Sequence, residues 1–295
     1  STPSNSSAAS DVYKRQGFIG AGKAGCSLGR YFVHYGIPLA GYASRSKASA
    51  QAAADAAHTQ SFDSFDKLLS MCDVLFITVP DGRIKDVWEQ IRAFPVREKF
   101  ICHCSGSLSS AIFSEITEAG AYGYSIHPMF PFNSKKTSYE DLSEALFTLE
   151  GDREHRDQML SFLSVLPNPV VEIEAEHKVR YHAAAVMASN QMAALMNRAL
   201  RILESCGFSE QEGLMALAPL VRPNLENILR SGPKVALTGP VERNDAATVE
   251  KNLNALSGEE KEIYLPLCRE LIRIAKSKYP MRSYEHMERI LEEEH

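Results

Sequence analysis

The hydrophobic pattern of the first half of the chain alternates between short apolar runs and longer amphipathic stretches. The continuous run DVLFITVP at residues 73–80 is typical of a strand buried on both faces of a parallel sheet. Shorter β-like runs occur at 39–44, 99–105 and 121–126. Helical patterns separate the strands; we expect them at 23–35, 47–57, 64–72, 81–94 and 107–120. This order of elements predicts an α/β fold with a doubly wound, mostly parallel Rossmann sheet.

The second half of the chain has a different pattern. After two more expected strands, at 146–151 and 169–174, the segment 175–206 contains no Pro or Gly and predicts one long helix. Further helices are expected at 209–230, 243–255 and 258–276. We therefore predict a Rossmann domain over 16–174 and an all-helical domain for substrate binding and dimerisation over 175–295. The long Ala/Met-rich helix is what an obligate helical interface would use, which predicts a homodimer.

The first residues do not continue either pattern. Residues 1–15 are serine-rich and lack the apolar centre of a signal peptide, so we expect a disordered or non-native tail. The apolar run that follows begins only at Gly17, because Lys14, Arg15 and Gln16 precede it. The first strand is therefore expected to be short.

A glycine-rich turn follows this short strand. Residues 20–25 read G-x-G-x-x-G, the turn that lets a backbone approach a pyrophosphate. Ligands of an open parallel sheet bind beyond the carboxyl ends of its strands, and several small or polar clusters occupy those positions. The candidate cofactor-binding residues are Gly20, Ala21, Gly22, Lys23, Ala24, Gly25, Ser44, Arg45, Ser46, Val79, Pro80, Asp81, His103, Ser105 and Gly106. The turn and its context predict a dinucleotide site.

The end of the second strand indicates which dinucleotide is bound. NAD enzymes usually place an acid there for the ribose 2′-hydroxyl, but this chain has Ser44, Arg45, Ser46 and Lys47. A guanidinium and hydroxyl groups suit a 2′-phosphate, so we predict NADP (NADPH). The alternative is that Arg45 and Lys47 only solvate the start of a helix.

The long helix carries a second group of candidates. Lys178 and His182 are four residues apart and share a face, which makes them candidate catalytic residues. Asn190 falls within the apolar stripe of this helix, where a buried amide needs a partner from a neighbouring helix or a ligand. The stripe consists of Val179, Ala183, Val186 and Ala194. The alternative for Lys178 and His182 is a solvated helix edge.

Two further residues are candidates for substrate binding, together with Asn190. His127 follows the strand at 121–126, at the same edge of the sheet as the glycine turn. Arg243 lies in the turn ALTGPVERND at 236–245 and could clamp an anionic substrate. Asn244 or Asp245 could cap the next helix, and a purely structural turn is the alternative.

Charge and cysteine content exclude several classes of function. The net charge of −5 gives no reason to expect a nucleic-acid partner, and no apolar run approaches the roughly 20 residues of a membrane span. The six cysteines have no disulfide spacing, which indicates reduced thiols and a cytoplasmic protein. Within Cys102-His103-Cys104 the cysteines and the histidine face opposite sides of a strand, so we expect no metal site.

Six motifs together carry a family resemblance. GFIGAGKAG, TVPDGRI, HCSGSLSS, SIHPMFPF, YHAAAVMASN and LTGPVERND occur in this order from Gly17 onwards. They resemble a bacterial family of Rossmann-like NADP-dependent oxidoreductases with a C-terminal helical domain. That family is similar to pyrroline-5-carboxylate reductase, 3-hydroxyisobutyrate dehydrogenase and ketopantoate reductase. The resemblance implies an N-terminal NADP domain, a helical dimerisation domain and an active site between them.

The resemblance departs from the hydroxyacid dehydrogenases at one motif. Those enzymes carry Lys-x-x-x-Asn on the long helix, whereas Lys178 is followed by His182. We expect hydride transfer between NADPH and a C=O or C=N group of a small, anionic substrate, with Lys178 or His182 as proton donor. The alternative is an NADP-binding regulatory or sensor protein without catalysis.

Overall fold

The computed structural model of the chain describes residues 14–135 and 139–293. Contacts divide the chain into two compact units, Ser1–Ala188 and Ser189–His295. The whole sheet belongs to the first unit, and the described part of the second unit contains helices without strands. The domain boundary predicted after residue 174 stays a prediction.

Within the described residues, eight strands form one sheet. They are β1 Gln16–Ile19, β2 Leu39–Ala43, β3 Gln60–Phe62, β4 Val74–Ile77, β5 Phe100–His103, β6 Tyr122–Pro128, β7 Phe147–Gly151 and β8 Val170–Glu172. The spatial order is β3-β2-β1-β4-β5-β6-β7-β8, and only the β6–β7 pair is antiparallel. The predicted doubly wound, mostly parallel sheet is confirmed. Its strand order reverses between β1 and β4, which opens a crevice at the carboxyl edge.

The first strand is short, as the sequence predicts. All four of its residues are buried between β2 and β4. Of the predicted tail, residues 1–13 lie outside the described residues. Lys14 and Arg15 contact the sheet unit: the Arg15 N–H donates to Asp73 Oδ2 at 2.9 Å, and Lys14 Nζ donates to Gln158 Oε1 at 2.9 Å.

Strand β4 shows why the sheet needs helices on both faces. Its side chains alternate, with Val74 and Phe76 in one apolar cluster and Leu75 and Ile77 in another. Each such buried side chain contributes about 1.5–3 kcal/mol relative to exposure. The covering helices are α1 Lys23–His34, α2 Lys47–Ala56, α3 Phe65–Met71, α4 Ile84–Ile91 and α5 Arg156–Leu163, and α6 Lys178–Ala188 belongs to the same unit.

The helix predicted at 107–120 is wrong. That stretch forms a single 3-10 turn, Ser110–Ile112, followed by irregular backbone. The Ser110 N–H and hydroxyl both donate to the Glu150 carboxylate, and Glu115 has a φ of +55°. Serine side chains that bond to nearby polar groups compete with helix formation, and a positive φ ends it.

The prediction of one long helix over 175–206 is also wrong. The helix α6 ends at Ala188, Ser189 has φ −115° and ψ −72°, and α7 Asn190–Ser205 begins next. The other helices of the second unit are α8 Glu210–Ser231, α9 Pro233–Ala236, α10 Ala246–Ala255, α11 Glu259–Lys278 and α12 Glu285–Glu292. The break assigns Lys178 and His182 to the sheet unit and Asn190 to the helical unit.

The last three helices of the second unit build an apolar core. Val249 and Leu253 of α10 are fully buried in a cluster with Ile272 of α11 and Met287 of α12. Helices α7 and α8, all of whose residues are described, contribute a single buried residue, Gly213. None of the helices in the described ranges is both long enough and apolar enough to cross a membrane.

Candidate active site

The three glycines of the turn between β1 and α1 have three different roles. Gly20 has φ +114°, and a methyl group there would lie 2.7 Å from the Thr78 carbonyl oxygen. A methyl group on Gly25 would collide with the Gly20 carbonyl oxygen and with Thr78 Oγ1. At Gly22 the same group would meet nothing nearer than 3.9 Å. Gly20 therefore makes the turn, Gly25 lets α1 pack on the sheet, and Gly22 leaves its side open to a ligand.

The N-terminus of α1 completes this turn. Gly22 is the N-cap residue, and no side chain caps the helix there. The first backbone N–H groups of a helix have no partners within the helix, and the helix dipole favours negative charge at this end. The turn therefore suits a pyrophosphate.

A cleft of about 490 Å³ opens in front of the turn. Of the predicted cofactor residues, it is lined by Gly20, Ala21, Gly22, Ser44, Arg45, Ser46, Val79 and Pro80. Lys23, Ala24, Gly25, Asp81, His103, Ser105 and Gly106 do not line it. Two cations, Arg45 and Arg83, line the cleft, and among the described residues no acidic side chain does.

The sequence did not single out Arg83 as a cleft residue. It directly follows Pro80, Asp81 and Gly82, so its place in the same loop was the available signal. Its guanidinium lies 3.3 Å from the Asp86 carboxylate. Asp86 is one helical turn further along the chain. The ion pair with Asp86 keeps the Arg83 side chain at the edge of the cleft.

Residues in the segment after β2 have two different roles. The Ser46 side chain caps α2 by accepting from the Ser49 N–H at 3.2 Å. Arg45 is exposed and lines the cleft, whereas Lys47 lines a different groove. Arg45 is therefore the cation of this segment that lies where a ribose substituent is expected.

A hydrogen-bonded loop joins the cleft to the end of β5. Asp81 follows the cleft residue Pro80, and its Oδ2 accepts from Ser105 Oγ at 2.6 Å. The Ser105 hydroxyl oxygen in turn accepts from the N–H groups of Ser107 and Leu108. Residues at the ends of β4 and β5 are therefore held together by one side chain.

His103 stabilises the same loop from inside. It is fully buried, its Nδ1 accepts from the Ser105 N–H at 3.2 Å, and its Nε2 lies 3.2 Å from the Ser109 carbonyl oxygen. This arrangement requires the proton on Nε2. Burial lowers the pKa of His103 to about 4, so the ring is neutral at pH 7. The contact predicted between His103 and the cofactor stays a prediction.

Lys178 lies in the interior of the sheet unit, with 1% of its surface exposed. Its Nζ donates to Ser125 Oγ at 2.8 Å and to the Ser105 carbonyl oxygen at 3.1 Å. Burial lowers the pKa of Lys178 to about 8, against the opposing effect of the Glu150 carboxylate. The solvated-edge alternative for Lys178 is therefore wrong.

Tyr181 and His182, which follow Lys178 on α6, contact the end of β6 and the loop after β5. Tyr181 Oη lies 2.8 Å from His127 Nδ1. The His182 ring packs on Gly106, where a methyl group would lie 2.6 Å from His182 Nδ1 and 3.0 Å from His127 Nε2. Burial, with a further effect of the Lys178 charge, lowers the pKa of His127 to about 4. We refer to Lys178, Tyr181, His182, His127 and Ser125 as the α6 cluster.

The two faces of α6 are the reverse of what the apolar stripe indicated. Val179, expected in the stripe, is 70% exposed, whereas Lys178 is buried. Sequence reasoning missed Tyr181, although it is three residues after Lys178 and so on the face of His182. The polar face of α6 packs on the strand ends because Ser105, Ser125 and His127 provide polar partners there.

The remaining two candidates, Asn190 and Arg243, belong to the helical unit. Asn190 is exposed at the start of α7 and accepts from Ser189 Oγ at 3.0 Å, so the expectation of a buried amide is wrong. Arg243 is exposed in the turn before α10, and Asp245 caps that helix by accepting from the Thr248 N–H at 3.1 Å. Their roles in substrate binding stay predictions.

Two family models match the sequence. Residues 1–128 match a Rossmann-like domain, and residues 145–271 match a domain of unknown function, DUF2520. No curated protein gives a significant match. The chain is thus similar to a Rossmann-like domain in its first part and to DUF2520 in its second.

Several solved structures are similar to this protein over most of its chain. Protein TM1727 from Thermotoga maritima is 28% identical, with a TM-score of 0.70, and the match covers 89% of this chain and 99% of that one. Pyrroline carboxylate reductase from Plasmodium falciparum, with NADP bound, is 14% identical, with a TM-score of 0.59 and coverage of 90% and 98%. An imine reductase variant from Myxococcus stipitatus, in complex with NAD+, is 17% identical, with a TM-score of 0.60 and coverage of 94% and 99%. The chain therefore has the fold of nicotinamide-dependent reductases.

Proposed function

We propose that this protein is an NADPH-dependent reductase that acts on the C=O or C=N group of a small, anionic substrate. The observation that carries the proposal is the cleft in front of the β1–α1 turn. It combines an open Gly22, an uncapped helix N-terminus and two arginines, and no acidic residue among those described lines it. A carboxylate at this place would select the 2′-hydroxyl of NAD and repel a 2′-phosphate.

The cleft residues fit the chemical groups of NADPH. The N–H groups at the start of α1 would hold the pyrophosphate, and Arg45 with Ser44 would hold the 2′-phosphate. When bound, NADPH supplies a hydride to an electrophilic carbon. The α6 cluster lies at the adjacent strand ends and offers the titratable groups that a proton transfer needs.

Cofactor binding is the first test of this function. NADPH fluorescence is titrated with the unchanged protein and with Gly22→Val, whose side chain would fill the open side of the turn. We expect saturable binding by the unchanged protein and a loss of at least about tenfold in affinity for Gly22→Val, because the backbone must approach the pyrophosphate. Equal affinity for both proteins would contradict the proposed site.

Turnover is the second test. NADPH oxidation is followed with a panel of cyclic imines and 2-keto acids, and Arg243→Gln is compared with the unchanged protein on each active substrate. If Arg243 binds an anionic group, the variant raises KM for keto acids and leaves KM for uncharged imines unchanged. Tight NADPH binding without oxidation across the panel would favour a regulatory or sensor protein.

We also propose a homodimer through the helical unit. Helices α7 and α8 bury a single residue in the part of the chain that the structure describes. They expose large apolar side chains, among them Met215, Leu220 and Leu229 at 69%, 68% and 78%. Large exposed apolar side chains on helices that bury so few of their residues favour an interface with a second copy.

The dimer is tested by sedimentation of two variants. We expect Leu220→Glu to shift the protein towards the monomer, because a charge cannot be buried unpaired in an apolar interface. Asn254→Glu, at an exposed position of α10, introduces the same charge and is expected to stay dimeric. A monomeric unchanged protein would overturn the proposal.

A cytoplasmic location is the last part of the proposal. All six cysteines are free thiols, and Cys26, Cys72, Cys102 and Cys268 are buried. Free buried thiols are typical of proteins that stay in a reducing compartment. Cell fractionation with an antibody against the native protein tests this location.

A further inference from the structure

The α6 cluster contains two residues that could supply the proton for the proposed reduction, Lys178 and His182. They are one helical turn apart, but the structure places them in different surroundings. Lys178 is 1% exposed, whereas His182 is only partly buried. A proton donor must reach the substrate and regain its proton from solvent in each cycle.

Lys178 is held by the fold through two of the three N–H donors of its ammonium group. Its Nζ donates to Ser125 Oγ and to the Ser105 carbonyl oxygen, which fixes the ends of β6 and β5 to α6. With 1% of its surface exposed, Lys178 gives a substrate no access to its ammonium group unless these contacts open. Lys178 therefore has a structural role inside the site.

His127 is the second group that cannot serve as the acid. Its Nδ1 is paired with Tyr181 Oη, and its ring carries no charge at neutral pH because burial and the charge of Lys178 disfavour the imidazolium. A neutral imidazole can hydrogen-bond to a substrate, but it has no acidic proton to give away. His127 and Tyr181 are therefore neighbours of the donor.

His182 has a buried ring nitrogen to which the described residues offer no hydrogen-bond partner. Its Nδ1 is buried and makes no hydrogen bond within the described residues. A native fold rarely leaves a buried polar atom unsatisfied without a functional reason. A nitrogen with no fixed partner can gain or lose a proton without breaking a bond of the fold.

The position of His182 is linked to the cofactor cleft through a short series of contacts. Pro80 lines the cleft, and the next residue, Asp81, accepts from Ser105 Oγ. Gly106 follows Ser105 and contacts the His182 ring. The ring is so close that a side chain at position 106 would collide with it. The ring is thus held on the loop that connects to the edge of the cleft.

We propose that His182 gives the proton to the substrate heteroatom, and that Lys178 is a positioning residue. This assignment rests on the proposed reductase function. The substrate carbon gains the hydride that the cofactor supplies, and the heteroatom gains one proton from the His182 imidazolium. His182 becomes a neutral imidazole, and a solvent proton restores the imidazolium.

Charged and titratable groups from several elements lie in and around the α6 cluster. They are Asp81 after β4, His103 and Cys104 at the end of β5, His127 on β6, Glu150 on β7 and Lys178 on α6 itself. Lys178 favours the neutral form of its neighbours, whereas Asp81 and Glu150 favour the cationic form. Substituting Lys178 therefore changes the electrostatics of the α6 cluster without removing His182.

Chemical rescue distinguishes His182 as the proton donor from Lys178 as the positioning residue. With the best substrate of the panel, we expect His182→Ala to lower kcat at least about 100-fold with NADPH affinity retained, and added imidazole to restore part of the rate. His182→Gln is expected to lose the fall in rate at alkaline pH that deprotonation of the acid causes. Lys178→Met is expected to keep that fall in rate.

Three outcomes would overturn the assignment while leaving the reductase function intact. They are full activity of both His182 variants, failure of imidazole to rescue a folded His182→Ala, and rescue of Lys178→Ala by methylamine. Absence of NADPH oxidation by the unchanged protein would overturn the function and the assignment together. Circular dichroism and NADPH titration establish that each variant is folded.

A glycine pair tests the position of the ring. Gly106→Ala puts a methyl group 2.6 Å from His182 Nδ1, whereas Gly82→Ala in the neighbouring loop meets nothing within 4 Å. We expect Gly106→Ala to lower kcat at least about tenfold with unchanged NADPH affinity, and Gly82→Ala to change neither. Equal kcat in the two variants would contradict the placement of the donor on Gly106.

A readout independent of turnover is carbethoxylation by diethyl pyrocarbonate, followed by mass spectrometry of peptides. We expect NADP+ with a product analogue to slow modification of His182 and leave the exposed His58 unaffected. Fully buried His103 serves as the unreactive reference. Modification of His182 at the same rate with and without the ligands would overturn its place beside the substrate.

Discussion

The cofactor cleft and the α6 cluster lie at the carboxyl ends of neighbouring strands of one sheet, but they are built by opposite means. The cleft depends on side chains that are missing at Gly20, Gly22 and Gly25. The α6 cluster depends on side chains that are present and packed, with a buried ammonium at its centre. Substitutions that add atoms should therefore damage the cleft, whereas substitutions that remove or neutralise side chains should change the α6 cluster.

The largest effect is expected from an added methyl group behind the turn. In Gly25→Ala the new group would collide with the Gly20 carbonyl oxygen and Thr78 Oγ1, which are fixed by β1 and β4. We expect the free energy of unfolding to fall by about 3 kcal/mol, as overpacking does, with loss of NADPH binding. Urea unfolding and NADPH titration measure the two effects.

Gly22→Ala is the matched control for this prediction. Its methyl group has no neighbour nearer than 3.9 Å, so the free energy of unfolding is expected to change by less than about 0.5 kcal/mol. NADPH affinity should still fall, because the methyl group projects to the ligand side. If both variants lost the same stability, the distinction between the glycines would be wrong.

The second effect concerns the buried ammonium and its dependence on pH. The pKa of Lys178 is about 8 in the native state and about 10.5 unfolded, so both states are protonated below pH 8. Between these values the native state releases its proton first, and the stability of the unchanged protein rises with pH. We expect a gain on the order of 3 kcal/mol from this group across that range.

Lys178→Met removes this titration. The stability difference between the unchanged protein and Lys178→Met should therefore be constant up to about pH 7.5 and then move in favour of the lysine by pH 10. Urea unfolding of both proteins at pH 7 and pH 10 measures the change. A stability difference between the two proteins that is the same at pH 7 and pH 10 would show that burying the Lys178 ammonium does not lower stability.

The smallest effect is expected at the open rim of the cleft. If Arg45 binds the 2′-phosphate as proposed, Arg45→Ala should weaken NADPH binding by about 10- to 100-fold and leave NADH binding unchanged. Lys47→Ala is the control, because Lys47 is a neighbouring exposed cation that lines another groove. Equal losses in both variants would indicate a general effect of surface charge and not a phosphate contact.

Sequence reasoning succeeded where one segment carries its own constraint. The run at 73–80 predicted the doubly buried β4, and the glycine spacing predicted the turn before α1. It failed where distant segments override local preference. The segment 107–120 has a helical pattern, but Glu150 of β7 takes the N–H and hydroxyl of Ser110.

The α6 cluster was foreseen only in part. The spacing of Lys178 and His182 placed them on one face, but the apolar stripe beside them suggested that this face would meet solvent or a cleft. Whether a helix buries its polar or its apolar face depends on what the opposing strands present. Ser125 and His127, more than 50 residues away along the chain, supply that information.

The sequence by itself determined the Rossmann-like sheet, the glycine-rich turn before α1 and the cation at the end of β2, because hydrophobic period, glycine freedom and residue charge are local properties. Only the tertiary structure decided that Lys178 is sealed inside, that Tyr181 pairs with His127, and that Gly106 supports His182. These depend on which strand ends meet α6, and burial, partner geometry and pKa arise from that packing and not from any single segment.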